Sequence, residues 1–544
     1  MASTERLLLS GNEAVALASL HAGVRLGTGY PGTPSTEILE AFSLIGGPAQ
    51  WSPNEKVALE VALGVSFAGG RTLVTMKHVG VNVAADPLFT AAYIDLTGGL
   101  VLISADDPGM ASSQNEQDNR HYARAAIVPM LEPSDSQEAY DFTLAAFELS
   151  ERWRVPVILR MTTRICHAKT EVIPGEPRPS TLEPHFERDI PGRVMIPAYA
   201  RPAHHKVRAK MEEIARWNEE SGLNRIYPGD KSLGIIASGI SVMHAREAAP
   251  DATLLALGLT WPLPMQMITD FVNSVDRCIV IEEGDHLLYE ALTVAGLKVE
   301  GKPEMYRFSE LNVSRVRRII AGDVSPEAPR PRGKPPELCQ GCSHREVFEA
   351  LSRLDCIVAG DIGCYTLGVL PPFEAMDTCV CMGAAIGVGL GLRHVLPEAE
   401  ARRVVSVIGD STFVHSGLTG IAEMVYNPPP TGHVVLIVDN STTAMTGRQE
   451  HPGTGRSLNH EPTNRMDFVA VCKAMGVKNV EVVDPQKDEA KFEEILKDMM
   501  ARDELSVLIA ERPCILAVPL IRKLEKAEAD KRCAAGGCAA APVE

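Results

Sequence analysis

The chain has 544 residues, of which 45% are hydrophobic and 23% charged, and its formal net charge is −17. At roughly 100–200 residues per domain, this length predicts three or four domains. The negative charge argues against nucleic acid or an anionic membrane as a partner, because neither would attract it. Apolar runs stay shorter than the ~18–20 residues of a membrane-spanning helix, and the opening MASTERLLLSGNEAVALA lacks the regions of a signal peptide. We therefore expect a cytoplasmic protein.

Residues 1–170 alternate between short apolar runs and segments with helical spacing, which is typical of an α/β domain with a doubly wound parallel sheet. After LGTGY, a Gly/Pro turn introduces a predicted helix, with Thr33 and Ser35 as N-cap candidates and Pro34 at a first helical position. The next predicted helix, in PNEKVALEVALG, carries Glu55 near its start.

The rest of the chain divides where the composition changes. Residues 171–230 are rich in Pro, Arg and His before a charged segment, which predicts a linker and a covering helix. Residues 231–321 hold three short apolar runs and predict a second, smaller α/β domain. Residues 322–337 form a predicted Pro-rich linker. A third α/β domain is predicted over 338–525, followed by a flexible tail at 526–544. The sequence thus predicts three doubly wound parallel-sheet domains.

Two apolar runs of the third domain, VVSVI and HVVLIVD, end in small polar residues. The first leads into Gly409, Asp410 and Ser411, and the second into Asn440 and, two residues later, Thr442. Such runs predict neighbouring parallel strands, and ligands bind beyond the carboxyl ends of such strands. Asp410, Asn440 and the Thr442 carbonyl could hold Mg²⁺, which completes its shell with phosphate oxygens. The spacing resembles the diphosphate-binding motif of thiamine diphosphate (ThDP) enzymes. The alternative is an ordinary strand–helix–strand unit.

A ThDP site also needs a carboxylate facing N1′ of the aminopyrimidine ring, where it stabilises the imino tautomer that removes the C2 proton of the thiazolium. A partly buried Glu with a raised pKa suits this acid–base role. Glu55 fits, because small residues in its helix would allow a cofactor to approach closely. Glu60, nearer the middle of the helix, is the competitor. Alternatively, Glu55 is a solvated first-turn carboxylate that the helix dipole favours.

Characteristic motifs extend over nearly the whole chain, to about Pro513. In order they are GTGYPGTPSTEI, PNEKVALEVALG, RTLVTMKHVGVNVAADPL, ADDPGMASSQNEQDNR, LCQGCSHR, GDIGCYTLGVLPPFEAMDTCVCMGAAIG, and GDSTFVHSG with DNSTTAMTG. Together they resemble the α subunit of indolepyruvate ferredoxin oxidoreductase, of the ThDP-dependent 2-oxoacid:acceptor oxidoreductases. The resemblance implies a pyrimidine-binding ThDP domain, a transketolase C-terminal-like domain and a diphosphate-binding domain, as in the transketolase/pyruvate ferredoxin oxidoreductase fold. It also implies a site between the first and third domains in an α dimer or α2β2 assembly, and a smaller β subunit.

The same resemblance suggests roles for three further residues. Thr33 lies where the wider superfamily places a residue close to substrate and cofactor, although it could equally be only a helix cap. Arg120 is a candidate clamp for the oxoacid carboxylate, because a guanidinium binds a carboxylate bidentately, but a surface arginine fits as well. Gly383 opens a helix rich in small residues, whose N–H groups could receive phosphate oxygens or whose glycines could serve close packing.

Four of the twelve cysteines form a candidate ligand set for an iron–sulfur cluster. Cys339 and Cys342 form a C-x-x-C, followed by Cys364 and, much later, by Cys514. A [4Fe–4S] cluster takes four thiolates. In pyruvate-type relatives, a cluster beside ThDP uses a similar pattern, and the assignment of Cys514 rests on rough spacing. The alternatives are a zinc-binding or redox-active pair, or free thiols.

Near its end the sequence departs from the family. The family ordinarily ends in a ferredoxin-like domain with two C-x₂-C-x₂-C-x₃-C runs, whereas here only Cys533 and Cys538 occur, spaced C-x₄-C. We expect either that electrons leave by the cluster to a partner subunit or an external carrier, or that coupling to ferredoxin is lost.

Three functions follow as hypotheses. The first is oxidative decarboxylation of an aryl-2-oxoacid, such as indolepyruvate or phenylpyruvate, with the acyl group passed to CoA. The second is a non-oxidative ThDP-dependent decarboxylase or carboligase. The third is a non-catalytic subunit that retains the fold, against which the presence of Glu55, Asp410 and Asn440 argues.

Overall fold

The computed structural model describes residues 6–329 and 336–534. The chain separates into two compact units, Met1–Pro329 and Arg330–Glu544. The boundary falls within the predicted linker 322–337. The predicted tail residues 535–544, with Cys538, lie outside the described residues.

Short apolar runs form the strands of the first unit. In chain order they are β1 (Leu7–Ser10), β2 (Leu26–Gly29), β3 (Ala49–Trp51), β4 (Thr72–Lys77), β5 (Leu100–Asp106), β6 (Met130–Leu131), β7 (Val157–Thr162), β8 (Lys169–Val172), β9 (Arg225–Tyr227), β10 (Asp230–Ser238), β11 (Ala252–Leu257), β12 (Leu259–Trp261) and β13 (Cys278–Ile281).

Helices alternate with these strands, as in other α/β folds. They are α1 (Gly11–His21), α2 (Thr36–Leu44), α3 (Glu55–Phe67), α4 (His78–Val83), α5 (Ala85–Ala91), α6 (Arg120–Ala126), α7 (Ser136–Trp153), α8 (Thr163–His167), α9 (Ile190–Arg193), α10 (Pro197–Asn218), α11 (Ser241–Ala248), α12 (Met265–Asn273), α13 (Leu287–Val294) and α14 (Val313–Ile320), with a 3₁₀ turn at Glu304–Tyr306.

The first unit contains two main sheets. The larger has the order β12-β6-β7-β5-β4-β2-β3, and the smaller has the order β13-β10-β11-β9. Both are parallel except at one edge, where β12 runs antiparallel to β6 and β9 antiparallel to β11. A separate antiparallel pair joins β1 to β8. Two parallel sheets with crossover helices agree with the α/β fold that the sequence predicts.

Three details of the first unit differ from the sequence prediction. β12 lies within the predicted second domain 231–321, yet Leu259 pairs with Leu131 in the larger sheet. β9 lies in the predicted linker 171–230 but forms an edge of the smaller sheet. Helix α2 begins at Thr36, so Pro34 precedes the helix, and the Ser35 hydroxyl donates to the Gly32 carbonyl instead of capping.

The second unit is built on one fully parallel sheet, with the order β15-β14-β16-β17-β19-β18. Its strands are β14 (Ile357–Gly360), β15 (Thr378–Cys379), β16 (Val404–Gly409), β17 (His433–Asp439), β18 (Asn479–Val483) and β19 (Leu505–Glu511). Its helices are α15 (His344–Arg353), α16 (Ala384–Val395), α17 (Glu398–Ala401), α18 (Asp410–Thr412), α19 (Leu418–Tyr426), α20 (Phe468–Ala474), α21 (Glu489–Ala501) and α22 (Val518–Ala534), with 3₁₀ turns at Cys364–Val369 and Ala444–Thr446 and a π turn at Phe413–Gly417.

Alternate residues of the central strands face two separate cores. Val434 and Leu436 of β17 pack into one apolar cluster, and Val435 and Ile437 pack into another. This period of two explains the continuous apolar runs, because a parallel sheet covered on both faces buries every residue. Helix α22 extends to Ala534, so the first part of the predicted flexible tail is helical.

Within the described part of the chain, none of the helices combines the length and the apolar composition that crossing a membrane requires.

Glu283, just beyond β13, makes the stability of the first unit depend on pH. Burial raises the pKa of Glu283 to about 7, although the Leu311 N–H donates to the carboxylate. A pKa above the unfolded value means that the folded state binds the proton more tightly, so stability falls as pH rises from about 4.5 to about 7. Glu283→Gln should therefore stabilise the protein by about 1 kcal/mol at pH 5.5 and by about 3 kcal/mol at pH 8. Urea unfolding at both pH values measures this, with the exposed Glu290→Gln as control. An equal effect at both pH values would contradict the assignment.

Candidate functional site

The predicted cation ligands lie at the carboxyl ends of β16 and β17. The two strands are parallel neighbours, as the sequence predicts, with Gly409 opposite Val438. Asp410 follows β16 directly and Asn440 follows β17, and both side chains are buried. The structure therefore brings a carboxylate and an amide to the sheet edge where α/β folds bind ligands.

Asn440 presents an oxygen without a partner. Its Nδ2 lies 3.2 Å from Nε2 of His344, whereas its buried Oδ1 has no hydrogen-bond partner among the described residues. Burial lowers the pKa of His344 to about 4, so the ring is neutral at pH 7 and can accept a hydrogen bond. An unpaired buried amide oxygen is unfavourable. Mg²⁺ prefers oxygen ligands of this kind, and the donor set therefore fits the predicted cation.

Asp410 is held by three neighbours. Its Oδ1 accepts from the Ser411 N–H at 2.9 Å, and its Oδ2 lies 3.2 Å from Nε2 of His451. The third neighbour is Asp439, whose carboxyl hydrogen-bonds to it. Burial and the adjacent Asp410 charge raise the pKa of Asp439 to about 8, so Asp439 is the protonated member of the pair at pH 7. Asp410 is therefore available as an anionic ligand.

Hydroxyl groups connect the two strand ends. The side chains of Ser411 and Thr443 share a hydrogen bond of 2.8 Å. The Thr442 hydroxyl donates to the Gln449 carbonyl at 3.2 Å, which orders the loop after β17. These bonds hold the two loops together, and the role of the Thr442 carbonyl as a ligand stays a prediction.

Gly383 lies at the start of α16, but that helix end is already occupied. The Asp361 carboxylate accepts from the Gly383 N–H at 2.9 Å and from the Ala385 N–H at 3.0 Å. Asp361 is fully buried, and burial raises its pKa to about 6. This helix end therefore carries an internal carboxylate cap, and the phosphate-binding role of Gly383 stays a prediction. In addition, a Cβ at Gly383 would lie 2.3 Å from Cβ of Ser416, so the glycine serves close packing.

The four candidate cluster ligands line one cavity of about 280 Å³ in the second unit. Its lining includes Cys339, Cys342, Cys364, Cys514, His344 and Asn440. All four thiols are free. Burial, and then the neighbouring Cys342, Cys514 and Cys339, raise the pKa of Cys364 to about 12, which agrees with their proximity. The structure thus gathers four cysteines that are far apart in sequence.

Across the described residues, no three His, Cys, Asp or Glu side chains converge closely enough to hold a single metal ion. A [4Fe–4S] cluster has a different requirement, because its four thiolates surround a cube of iron and sulfur and need a cavity between them.

In the first unit, the larger sheet brings Thr33 and Glu55 to one edge. Strands β3, β2 and β4 are adjacent and parallel, so their carboxyl ends meet there. Thr33 follows β2 and is half-buried, and Glu55 begins α3 shortly after β3. Lys77 ends β4 at the same edge. Burial lowers the pKa of Lys77, and the nearby carboxylates of Asp107 and Glu55 partly oppose this shift.

The surroundings of Glu55 differ from those of Glu60, the competing candidate for the acid–base role. Glu55 is 4% exposed and packs against α4, where a Cβ added to Gly80 would lie 2.6 Å from Oε1 of Glu55. Glu60 is exposed and pairs with Lys56. Glu55 is therefore not the solvated carboxylate of the alternative interpretation, and its acid–base role stays a prediction.

Arg120 belongs to a buried ion-pair network. Its guanidinium bonds Asp118 and Glu282, the latter at 2.6 Å, and donates to the carbonyls of Glu283 and Asp285. Its side chain is 0% exposed. Although burial opposes ionisation, the guanidinium beside Asp118 holds the pKa of that carboxyl well below its usual range. These contacts engage all three nitrogens of the guanidinium within the protein, and the predicted role of Arg120 as a substrate clamp stays a prediction.

Sequence reasoning missed His344, Asp361, Asp439 and His451, each of which contacts a predicted site residue. His344 follows the C-x-x-C, and Asp361 is the second residue of the GDIGC motif. A search for polar residues beside the motifs could have proposed them, but it could not have assigned their partners, which lie far away in sequence.

Two family profiles match the chain. The profile of "Pyruvate flavodoxin/ferredoxin oxidoreductase, thiamine diP-bdg" matches residues 17–213, and that of "Thiamine pyrophosphate enzyme, C-terminal TPP binding domain" matches residues 361–510. The two matches lie in different units. They confirm the predicted α/β fold with ThDP-binding domains.

Curated IorA subunits align over almost the whole chain, and a KorA subunit aligns over about half of it. The indolepyruvate oxidoreductase subunit IorA of Archaeoglobus fulgidus is 40% identical over 96% of this chain and 89% of its own length. The subunit IorA of Methanothermobacter thermautotrophicus is 39% identical over 97% of this chain and 90% of its own length. The 2-oxoglutarate synthase subunit KorA of Methanothermobacter marburgensis is 24% identical over 54% of this chain and 92% of its own. A solved structure, 2-oxoglutarate:ferredoxin oxidoreductase from Magnetococcus marinus with 2-oxoglutarate, coenzyme A and succinyl-CoA bound, aligns with a TM-score of 0.49 and 17% identity, covering 60% of this chain and 66% of that chain.

Proposed function

The chain belongs to the indolepyruvate oxidoreductase IorA family of ThDP-dependent 2-oxoacid oxidoreductases, and on this basis we propose that it oxidatively decarboxylates an aryl-2-oxoacid to the acyl-CoA. The observation that carries the proposal is the identity of about 40% over about 95% of the chain with several IorA subunits. Indolepyruvate and phenylpyruvate are the proposed substrates. The proposed assembly is an α dimer or α2β2 complex with a smaller β subunit and an external electron carrier.

The site residues have distinct proposed roles. Asp410, Asn440 and the Thr442 carbonyl would hold Mg²⁺ against the diphosphate, supported by the unpartnered Asn440 oxygen. Glu55 would exchange a proton with the aminopyrimidine ring, supported by its burial. Thr33 would lie close to the substrate. When bound, ThDP supplies a nucleophilic carbon for the keto group and an electron sink for the carbon that loses CO₂.

The cysteine cavity would hold one [4Fe–4S] cluster, which accepts electrons singly and passes them outward. Cys342→Ala should lower the iron content from about four per chain and abolish viologen reduction, because a cluster needs four thiolates. Iron analysis and visible absorption of anaerobically purified protein measure the effect. Cys379→Ala is the matched control, since this exposed thiol of the same unit is not part of the cavity lining. Iron that is unchanged in Cys342→Ala would contradict the assignment.

The test of the function is anaerobic purification with ThDP and Mg²⁺, alone and with a co-encoded β subunit. Viologen reduction is then measured with indolepyruvate, phenylpyruvate or pyruvate, with and without CoA. CoA-dependent reduction with the aryl substrates supports the proposal. ThDP-dependent CO₂ release without iron or viologen reduction would instead establish a decarboxylase or carboligase. Failure to bind ThDP would establish a non-catalytic subunit.

A further inference from the structure

We propose that His344 and His451 are positioning residues for the cation site, each orienting the side chain of one ligand. The proposal rests on the proposed function, because the cation is the one that would hold the ThDP diphosphate. His344 lies 96 residues before Asn440 in sequence, and His451 lies 41 residues after Asp410. Both rings are buried, at 2% and 6% exposure.

The proton position on His451 follows from its backbone neighbour. The Gly453 N–H lies 3.2 Å from Nδ1 of His451, and a backbone N–H can only donate. Nδ1 is therefore an acceptor, and the proton of the ring is on Nε2, which faces Oδ2 of Asp410 at 3.2 Å. A Cβ at Gly453 would lie 2.8 Å from Cε1 of His451, so the glycine lets the loop hold the ring closely. His451 thus donates to Asp410 and fixes the carboxylate plane.

The contact of His344 selects one of the two orientations of the Asn440 amide. The Asn440 Nδ2 can only donate, so Nε2 of His344, at 3.2 Å, is the acceptor. The ring of His344 is held edge-on against Tyr365, with centroids 6.0 Å apart and an interplanar angle of 84°. With the amide nitrogen bound in this way, Oδ1 of Asn440 is the atom left without a partner. The amide therefore presents oxygen, which a hard cation requires.

These contacts predict a measurable effect on cation affinity. Residues that orient metal ligands typically change metal affinity by about 10–100-fold when they are replaced. The informative comparison is between a variant that keeps the hydrogen bond and one that removes it. Glutamine can supply an amide N–H in place of His451 and an amide oxygen in place of His344, whereas leucine supplies neither.

The experiment measures Mn²⁺ binding to the full chain in the presence of ThDP, with free Mn²⁺ followed by electron paramagnetic resonance. His451→Leu and His344→Leu should weaken Mn²⁺ binding by about 10–100-fold, and His451→Gln and His344→Gln should bind nearly as the wild type does. His433→Leu is the control for loss of a buried histidine. His433 bonds Ser406 at 2.8 Å and begins β17, at the end of the strand opposite the site.

The outcomes separate this inference from the function on which it rests. Weakening in both leucine variants, recovery in both glutamine variants and no change in His433→Leu support it. Wild-type affinity in the leucine variants would overturn it and leave the proposed function intact. Glutamine variants that bind Mn²⁺ as weakly as the leucine variants would also overturn it, because the loss of affinity would then not come from the lost hydrogen bonds. A wild-type chain that binds no Mn²⁺ with ThDP would overturn both.

Discussion

Glu55→Gln should lower the rate of 2-oxoacid oxidation by about 10²–10⁴-fold, which is the usual contribution of a positioned acid–base group. Glutamine keeps the shape of the side chain but cannot exchange a proton. Glu55 is buried at the start of α3, and the nearly isosteric substitution opens no cavity there. ThDP and Mg²⁺ binding should persist, since the proposed cation ligands belong to a different part of the chain.

Two further variants test the same carboxylate. Glu60→Gln is the matched control, because Glu60 lies on the same helix but is exposed and paired with Lys56. Gly80→Ala should lower the rate although Glu55 is kept, because the added Cβ would displace its side chain. The Cβ would lie 2.6 Å from Oε1 and 2.8 Å from Cγ of Glu55. Viologen reduction and ThDP affinity are measured for all three. A normal rate in Glu55→Gln together with a loss in Glu60→Gln would transfer the role to Glu60.

The parts of the site that could be predicted are those encoded locally. β16 and β17 are continuous apolar runs, so burial on both faces and parallel pairing follow from the sequence alone. The polar residues after each strand must then share one sheet edge, which placed Asp410 beside Asn440 before any coordinates. The position of Glu55 was predictable for the same reason, since it follows a strand and starts a helix, whereas its role stays a prediction.

The parts that could not be predicted depend on contacts between distant segments. The capping of α16 by Asp361 joins residues 22 and 24 positions apart, and no spacing rule distinguishes a phosphate-binding helix end from one that is capped internally. The pairing of β12 with β6 is similar, because a three-residue edge strand carries too little pattern to identify its sheet. The burial of Arg120 in an ion-pair network was equally unpredictable, because its partner Glu282 is 162 residues away.

Arg120→Met should destabilise the folded state by about 3–5 kcal/mol, because removing one partner leaves buried charges uncompensated. The carboxylates of Asp118 and Glu282 would remain, each with an exposed fraction of 2% or less. Arg164→Met is the control, since Arg164 forms an exposed ion pair with Glu310, of a kind that contributes about 0–1 kcal/mol. Urea unfolding at pH 7.5 measures both variants.

A triple variant distinguishes a structural role from a catalytic one. Arg120→Met combined with Asp118→Asn and Glu282→Gln removes the stranded charges, so most of the lost stability should return. If Arg120 is structural, this restored protein should also keep the KM of the wild type for the 2-oxoacid. If instead the triple variant is stable but its KM rises strongly, the guanidinium binds the substrate carboxylate in the working enzyme. The pairing seen here would then be the resting arrangement of a clamp that opens, and the role that the sequence predicted for Arg120 would be restored.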